Sequence, residues 1–158
     1  MSFESSLVIS GLTDPLLKGS ISGPIVTEFG GVTPSGVIRT DQKWQVQIDW
    51  NLEGSLLGTP FFSFNGNWLV RVFLESMGPS NEYELPLDGL GAKVSVADFT
   101  PDGVSKRNYS TTIQLDPGDV DPGIYKMVVA VTYESAPGNP GPIAGFHEGE
   151  MLQLYKTN

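Results

Sequence analysis

Apolar and polar residues alternate along much of this chain, most clearly over residues 43–51. One side of this stretch carries Trp44, Val46, Ile48 and Trp50, and polar residues occupy the positions between them. A period of two residues is the spacing of an extended strand, whose side chains point alternately to opposite faces. The pattern predicts an antiparallel strand with one face in a core and the other in water.

A second stretch, residues 124–134, is the most strongly strand-like segment of the chain. It is rich in β-branched and aromatic residues, which suit a pleated and half-buried surface. Its predicted core face carries Tyr125, Met127, Val129, Val131 and Tyr133. We expect this segment to be the central strand of a sheet.

Shorter strand-like segments fill most of the remaining chain. They are residues 3–10, 20–28, 61–64, 67–75, 82–87, 92–99, 105–115, 143–146 and 150–155. Turn-forming residues separate them, and Asn65-Gly66 favours a tight hairpin between residues 61–64 and 67–75. Many short strands with frequent turns predict an all-β sandwich of about nine or ten strands and no substantial helix.

Length and composition fit this architecture. A chain of 158 residues suits one domain, and we expect residues 1–158 to form a single sandwich. Residues 1–28 are predicted to form an N-terminal arm, or a strand added to a neighbouring sheet. Charged residues make up only 17% of the chain, which is compatible with extensive contact to other subunits.

One turn carries a family resemblance. Asp121-Pro122-Gly123-Ile124-Tyr125-Lys126-Met127 resembles the D-x-G-x-Y-x-C corner of immunoglobulin-like domains, with Met127 in place of the second cysteine. It is also similar to the P-G-x-Y pattern of bacterial immunoglobulin-like and fibronectin type III-like domains. The resemblance implies an antiparallel immunoglobulin-like sandwich whose structural corner is Asp121, Gly123 and Tyr125. The Tyr125 hydroxyl would then bond to backbone a few residues upstream.

The charge balance narrows the classes of partner. The net charge is −9, and nucleic acids and anionic membranes both require clustered Lys and Arg, so neither is an expected partner. No apolar run approaches the ~20 residues of a membrane span, so no membrane insertion is expected. The N-terminus lacks the regions of a secretory signal. We expect a cytoplasmic protein, or one exported without a general secretory signal, and no cofactor.

Catalytic candidates are few. The chain has no cysteine, and its single histidine is His147, whereas a Ser–His–Asp site needs a base held beside a nucleophile. In an extended segment Glu148 and Glu150 lie on the face opposite His147, unless Gly149 supplies a bulge. We interpret the segment as an edge leading into the last strand and expect no enzyme activity. A hydrolase, the rival hypothesis, would need His147 in a pocket with an oriented partner.

The densest acidic group consists of Asp116, Asp119 and Asp121. Calcium takes about six to eight oxygen ligands, which makes these three residues the candidates for a calcium site. Their spacing matches no EF-hand loop, and Asp-Pro-Gly is ordinary turn chemistry. A corner turn is the simpler interpretation, and no metal is expected.

Two segments are candidates for contact with a partner. The first is apolar and contains Leu56, Leu57, Phe61, Phe62 and Phe64. We predict that one of these phenylalanines, with Leu56 or Leu57, covers a sheet edge or meets a partner. The second is the loop at residues 135–142, with Pro137, Asn139 and Pro140, which lies where the F–G loop of the resembled family would be. Its prolines reduce the entropy lost on binding.

Two functional hypotheses follow. We expect a non-catalytic protein-interaction or structural subunit that assembles with itself or with a protein partner, such as part of a phage-tail-like or contractile injection particle. The alternative is a carbohydrate-binding β-sandwich module. Trp44, Trp50, Trp68 and Tyr155 suggest sugar stacking, but the tryptophans lie in phase with aliphatic residues, which favours their burial in the core. A carbohydrate-binding module would need aromatic side chains that face solvent.

Overall fold

The computed structural model describes residues 8–9, 17–31, 33–58, 65–136 and 139–157, and these residues form eleven strands. The strands are β1 (Val8–Ile9), β2 (Lys18–Glu28), β3 (Val37–Arg39), β4 (Trp44–Glu53), β5 (Asn67–Ser76), β6 (Tyr83–Leu85), β7 (Ala92–Ser95), β8 (Thr100–Pro101), β9 (Lys106–Leu115), β10 (Gly123–Ala136) and β11 (Asn139–Tyr155). The only helical element in the described ranges is a 3-10 turn at Ser55–Gly58. None of their residues form a helix long and apolar enough to cross a membrane.

The described strands are arranged in two sheets. One sheet has seven strands in the order β1-β11-β10-β5-β6, with β3 also beside β11 and β7 also beside β5. The other has four strands in the order β2-β4-β9-β8. The pairs are antiparallel except β3 with β11, which is parallel. The predicted all-β sandwich of about ten strands is confirmed, and β10 is a central strand as the sequence indicated.

The core lies between the sheets and is built from the alternating positions. Along β4 every second side chain is buried, beginning with Trp44, and the positions between are half exposed. The predicted core face of β10, from Tyr125 to Tyr133, is buried in the same way. All three tryptophans are almost completely buried, so the prediction that they belong to the core is confirmed.

An aromatic cluster joins the two sheets at the centre of this core. Trp68 and Tyr133 come from the seven-stranded sheet, and Trp50 and Tyr109 come from the four-stranded sheet. The rings of Trp50 and Tyr109 stack with centroids 5.6 Å apart, and Trp68 meets Tyr109 edge-on at 5.4 Å. The Tyr109 hydroxyl donates a hydrogen bond to the carbonyl oxygen of Val96 at 2.7 Å. Burial raises the pKa of Tyr109, which keeps this donor protonated.

The predicted hairpin around Asn65-Gly66 is wrong. Residues 61–64 lie outside the described residues, but both edges of β5 beyond the turn are already occupied. Asn67 pairs with Ser95 of β7 on one side and with Glu134 of β10 on the other. A strand has only two edges, so no edge remains for residues 61–64 to pair with the start of β5. Gly66 does have the positive φ angle that the motif suggested, at +118°.

Two predicted boundaries also change. The segments at residues 143–146 and 150–155 are parts of one long strand, β11, which starts at Asn139 inside the predicted loop. Strand β10 likewise extends to Ala136, so only Pro137 and residue 138 of the tip lie outside the described residues.

In the predicted N-terminal arm, Val8–Ile9 pairs with β11 and Lys18–Glu28 pairs with β4 of the chain's own sheets. An arm for a neighbour would therefore have to come from residues 1–7 or 10–16, which the structure does not describe.

The corner before β10 has the contact that the immunoglobulin-like resemblance implies. The Tyr125 hydroxyl donates a hydrogen bond to the carbonyl oxygen of Asp121 at 2.7 Å, while its ring is fully buried. Burial raises the pKa of Tyr125, so the hydroxyl remains a donor at neutral pH. Gly123 packs closely against Ser80, because a Cβ there would lie 2.5 Å from the Oγ of Ser80 and this side chain would have to turn.

Replacing Tyr125 with phenylalanine should lower the free energy of unfolding by about 1–2 kcal/mol, because it removes a hydrogen bond in a corner whose ring stays buried. The measurement is urea denaturation, with the m-value checked for constancy. Tyr155→Phe is the matched control at an exposed tyrosine and should change stability by less than about 0.5 kcal/mol. Equal midpoints for the two variants would show that the corner bond adds no stability.

Candidate functional site

The outer face of the seven-stranded sheet carries an unusual mixture of apolar and ion-paired side chains. Alternation on its three long strands turns one set of residues away from the core. They are Leu69, Arg71 and Phe73 of β5, Val128, Ala130 and Thr132 of β10, and Ala144, Phe146 and Glu148 of β11. A wet sheet face is normally dominated by polar residues, so this one is a candidate for binding.

A groove of about 700 Å³ runs along one end of this face. Its base and sides include Leu69, Arg71, Lys93, Thr132 and Glu134, which come from three strands that are adjacent in the sheet. The chain between β6 and β7 forms another wall, where Leu90 is strongly exposed.

Residues 88–91, which form this wall, pack against the side chain of Arg71 at Gly91. Asp88 holds the loop by accepting a hydrogen bond from the backbone N–H of Leu90 at 2.9 Å. Gly91 has a φ angle of +79°, and a Cβ there would lie 3.4–3.5 Å from the side chain of Arg71. These distances are ordinary van der Waals contacts, so the positive φ angle rather than a clash is what favours glycine at position 91.

The charges of the groove are arranged as cation–carboxylate pairs. Arg71 Nε lies 3.0 Å from Glu84 Oε1, and Lys93 Nζ lies 3.5 Å from Glu134 Oε1. Glu134 is only 5% exposed, whereas the side chain of Lys93 is half exposed. Buried carboxylates are rare unless they are paired, so the Lys93–Glu134 pair is the most unusual electrostatic feature of the groove.

The floor of the groove is tied to the core through Tyr133. Its hydroxyl donates a hydrogen bond to the carbonyl oxygen of Asn65, and burial raises its pKa, which keeps the proton on the oxygen. Gly66 packs directly against the carbonyl oxygen of Glu134. The backbone around Glu134 is therefore fixed on the core side, independently of what binds outside.

An exposed aromatic ring lies beside the groove on the same face. Phe146 is 60% exposed and is in register with Ala130, which is in register with Arg71. Neighbouring strands are about 4.8 Å apart, so the backbones of Phe146 and Arg71 are separated by about 10 Å. Ala130 is only 5% exposed although it faces outward, which makes it a small residue between larger neighbours.

The single histidine lies elsewhere. His147 is buried and turned toward the core, whereas Glu148 and Glu150 are exposed. A bulge of the kind that Gly149 could supply is present, since β11 has an extra residue between Glu148 and Met151. Among the described residues His147, Glu148 and Glu150 nevertheless do not form a group that could hold a metal ion. A Cβ at Gly149 would lie 2.5 Å from Cδ of Pro24, so this bulge is fixed by contact with β2. His147 lines a second groove of about 510 Å³ between β2 and β11.

The acidic candidates for calcium serve separate turn contacts. Asp119 accepts a hydrogen bond from the backbone N–H of Asp116 at 2.8 Å. Asp121 accepts one from the side chain of Asn81 at 3.3 Å. Within the parts of the chain that the structure describes, no three histidine or carboxylate side chains gather to hold a metal ion.

The predicted contact residues are only partly described. Leu57 is buried and Leu56 packs half-buried against the core, so neither offers a fully exposed side chain. Phe61, Phe62, Phe64 and Pro137 lie outside the described residues. The backbones of Asn139 and Pro140 pair with Ala136 and Glu134, which places this hairpin end next to the groove. The partner contacts of both segments stay predictions.

Sequence reasoning did not single out Arg71, Lys93, Glu134 or Phe146. The alternation of β10 does assign Glu134 to the outer face, and that is the only signal in the sequence. Lys93 and Glu134 are 41 positions apart, and no local pattern shows that β7 and β10 flank the same strand.

Comparisons with known proteins support the fold class. No family model matches the sequence, and no curated protein matches it. Among solved structures, the C-terminal domain of wzt is similar with a TM-score of 0.52 and 13% identity, over 89% of this chain and 75% of that one. A β-glucosidase from Listeria innocua in complex with glucose has a TM-score of 0.38 and 9% identity, over 90% of this chain and 17% of that one. The first likeness supports an all-β sandwich; the second is too distant for an argument.

Proposed function

We propose that this chain is a non-catalytic carbohydrate-binding β-sandwich whose sugar site is the outer-face groove together with Phe146. The observation that carries the proposal is the pairing, on one sheet face, of an exposed aromatic ring with a groove lined by ion-paired side chains. A pyranose ring has an apolar C–H face and a rim of hydroxyl groups. Binding sites for such molecules combine apolar contact surface with a few convergent polar groups.

The dimensions support this assignment. The backbones of Phe146 and Arg71 are about 10 Å apart, a spacing over which a disaccharide can extend. One sugar ring stacked on Phe146 would cover Ala130, and the next ring would reach Arg71 and Thr132. The hydroxyl groups then meet donors on Arg71 and Lys93 and acceptors on Thr132 and Glu134.

Phe146→Ala should weaken the binding of the best oligosaccharide by about tenfold or more, because stacking on an aromatic ring contributes on the order of 1.5 kcal/mol. The wild-type protein is first screened on a glycan array, and the strongest ligand is then titrated by calorimetry.

The control is Phe29→Ala, which removes a ring of similar exposure, 54%, after β2 of the other sheet. Its affinity should equal that of the wild type. An array without binding, or equal affinities for Phe146→Ala and Phe29→Ala, would contradict the proposal.

A second candidate function, a subunit of a larger assembly, is favoured by a separate apolar area on the same face. Val37, Gln153 and Ile124 are in register across three strands, and Met151 lies two positions along β11. Val37, Ile124 and Met151 are each about half exposed. If this area joins subunits, light scattering should give an oligomer that Ile124→Asp dissociates, and a wild-type monomer without co-purifying partners would contradict the assembly.

Assigning the sandwich to the immunoglobulin-like type does not favour either of the two functions. We propose an immunoglobulin-like variant of the sandwich, supported by the Tyr125–Asp121 contact at the corner before β10. Such sandwiches host many activities, so the site rather than the fold carries the functional proposal.

A further inference from the structure

We infer that the groove binds uncharged sugars more tightly than acidic ones, and that the Lys93–Glu134 pair forms hydrogen bonds with the sugar hydroxyl groups. This inference rests on the proposed carbohydrate function. The pair combines a carboxylate that is 5% exposed with an ammonium group that is half in solvent. It therefore places a carboxylate and a half-exposed ammonium group side by side in the lining of the groove. A sugar hydroxyl can donate to one group and accept from the other.

The cations of the groove are already neutralised. Among the described lining residues the cations are Arg71 and Lys93, and each lies beside a carboxylate, at 3.0 Å and 3.5 Å respectively. Lys126 on the same face is likewise 2.9 Å from Glu148. An acidic sugar would find no described cation on this part of the face without a carboxylate already beside it.

Displacing one of these carboxylates is unfavourable. If the carboxylate of a uronic acid took Lys93 from Glu134, the buried Glu134 would lose this counter-charge, which is destabilising. The groove also contains Asp88, and the whole chain has a net charge of −9, so an anionic ligand meets further repulsion.

A neutral ligand avoids both penalties. The Nζ–Oε1 distance of 3.5 Å is longer than the 2.7–2.9 Å of a tight charge-assisted bond. A carboxylate has about four acceptor sites and an ammonium group has three donors, which is more than this one contact uses. Sugar hydroxyls can therefore add to the pair without breaking it.

The experiment compares matched neutral and acidic ligands. The probes are tetrasaccharides of glucose, mannose and galactose, and the corresponding tetrasaccharides of glucuronic, mannuronic and galacturonic acid. Affinities are measured by calorimetry at low and high salt, since salt screens repulsion between exposed charges. At least one neutral probe should bind, and its acidic counterpart should bind at least about tenfold more weakly at low salt.

Two variants test the pair itself. Glu134→Gln frees the ammonium group of Lys93, so it should weaken neutral binding and strengthen acidic binding. Lys93→Gln leaves the carboxylate and should weaken acidic binding further. A merely structural effect would weaken both ligands in both variants, and thermal melts report whether each variant folds. Lys93→Gln leaves the buried carboxylate of Glu134 without this counter-charge, so if it fails to fold, Glu134→Gln, which removes the buried charge itself, keeps the test open.

The outcomes separate this inference from the function on which it rests. An acidic probe that binds as tightly as its neutral counterpart, with Phe146→Ala still weakening it, would overturn the selectivity and leave carbohydrate binding intact. An unchanged neutral-to-acidic ratio in Glu134→Gln and Lys93→Gln would overturn the role of the pair. A glycan array without any bound sugar would overturn both proposals.

Discussion

Gly66→Ala should lower the free energy of unfolding by about 3–5 kcal/mol, since overpacking and strained backbone each cost about 1–3 kcal/mol. The φ angle of Gly66 is +118°, which side chains rarely tolerate. A Cβ there would overlap the carbonyl oxygen of Glu134 and lie 3.0 Å from Cα of Ser135. Both are backbone atoms of β10, at a point where Glu134 pairs with Asn67 of β5 and with Pro140 of β11.

Gly30→Ala is the matched control for this variant. Gly30 also has a positive φ angle, +76°, but nothing lies within 4 Å of its added Cβ. It should cost only about 1–2 kcal/mol, the penalty of left-handed backbone alone. Urea denaturation gives the free energy of unfolding of both variants, and the difference between them is the contribution of the steric clash at residue 66. If Gly66→Ala were no less stable than Gly30→Ala, the close approach of residue 66 to β10 would be wrong.

The second large effect is expected at the aromatic cluster between the sheets. Trp68→Ala should destabilise the protein by about 3–5 kcal/mol, because it removes a fully buried indole and leaves a cavity. Trp68 meets the rings of Trp50, Tyr109 and Tyr133, at 6.2 Å, 5.4 Å and 6.0 Å between centroids. With no cysteine in the chain, such packing rather than a disulfide holds the two sheets together.

Chemical denaturation followed by circular dichroism measures this loss. Phe29→Ala, which truncates an exposed ring, should stay within about 1 kcal/mol of the wild type. Trp68→Phe should lie between the two because it keeps part of the aromatic contact. A Trp68→Ala variant as stable as Phe29→Ala would mean that the cluster is not the main link between the sheets.

Both variants also bear on the candidate site. Gly66 contacts the backbone of Glu134, and Trp68 precedes the groove residue Leu69 on β5. The same core contacts that stabilise the sandwich therefore position the side chains of the outer face. Glycan affinity should be measured only in variants that are folded at the temperature of the assay.

The structure favours a different binding surface from the one that the sequence indicated. The sequence favoured contact through the apolar segment at residues 56–64 and the loop at residues 135–142. Leu57 is instead buried, and the hairpin end at Asn139 and Pro140 lies beside a groove with a buried carboxylate. The polar groups of that groove and the exposed ring of Phe146 beside it are the basis of the carbohydrate proposal.

The sequence by itself determined the fold class and the composition of the core. Alternation over residues 43–51 and 124–134 reports the two-residue period of a strand, which is a local property of the backbone. The burial of Trp44, Trp50 and Trp68 followed from their phase within that pattern. Turn chemistry at residues 121–125 likewise indicated a corner before the central strand.

Only the tertiary structure decided which strands are neighbours. The edges of β5 are taken by β7 and β10, which excludes the hairpin that Asn65-Gly66 suggested. The same pairing brings Arg71, Lys93 and Glu134 into one groove from distant parts of the chain. Local periodicity fixes which way a side chain points, but strand order depends on the packing of the whole sheet. For that reason the sequence could predict the sandwich but could not locate the groove.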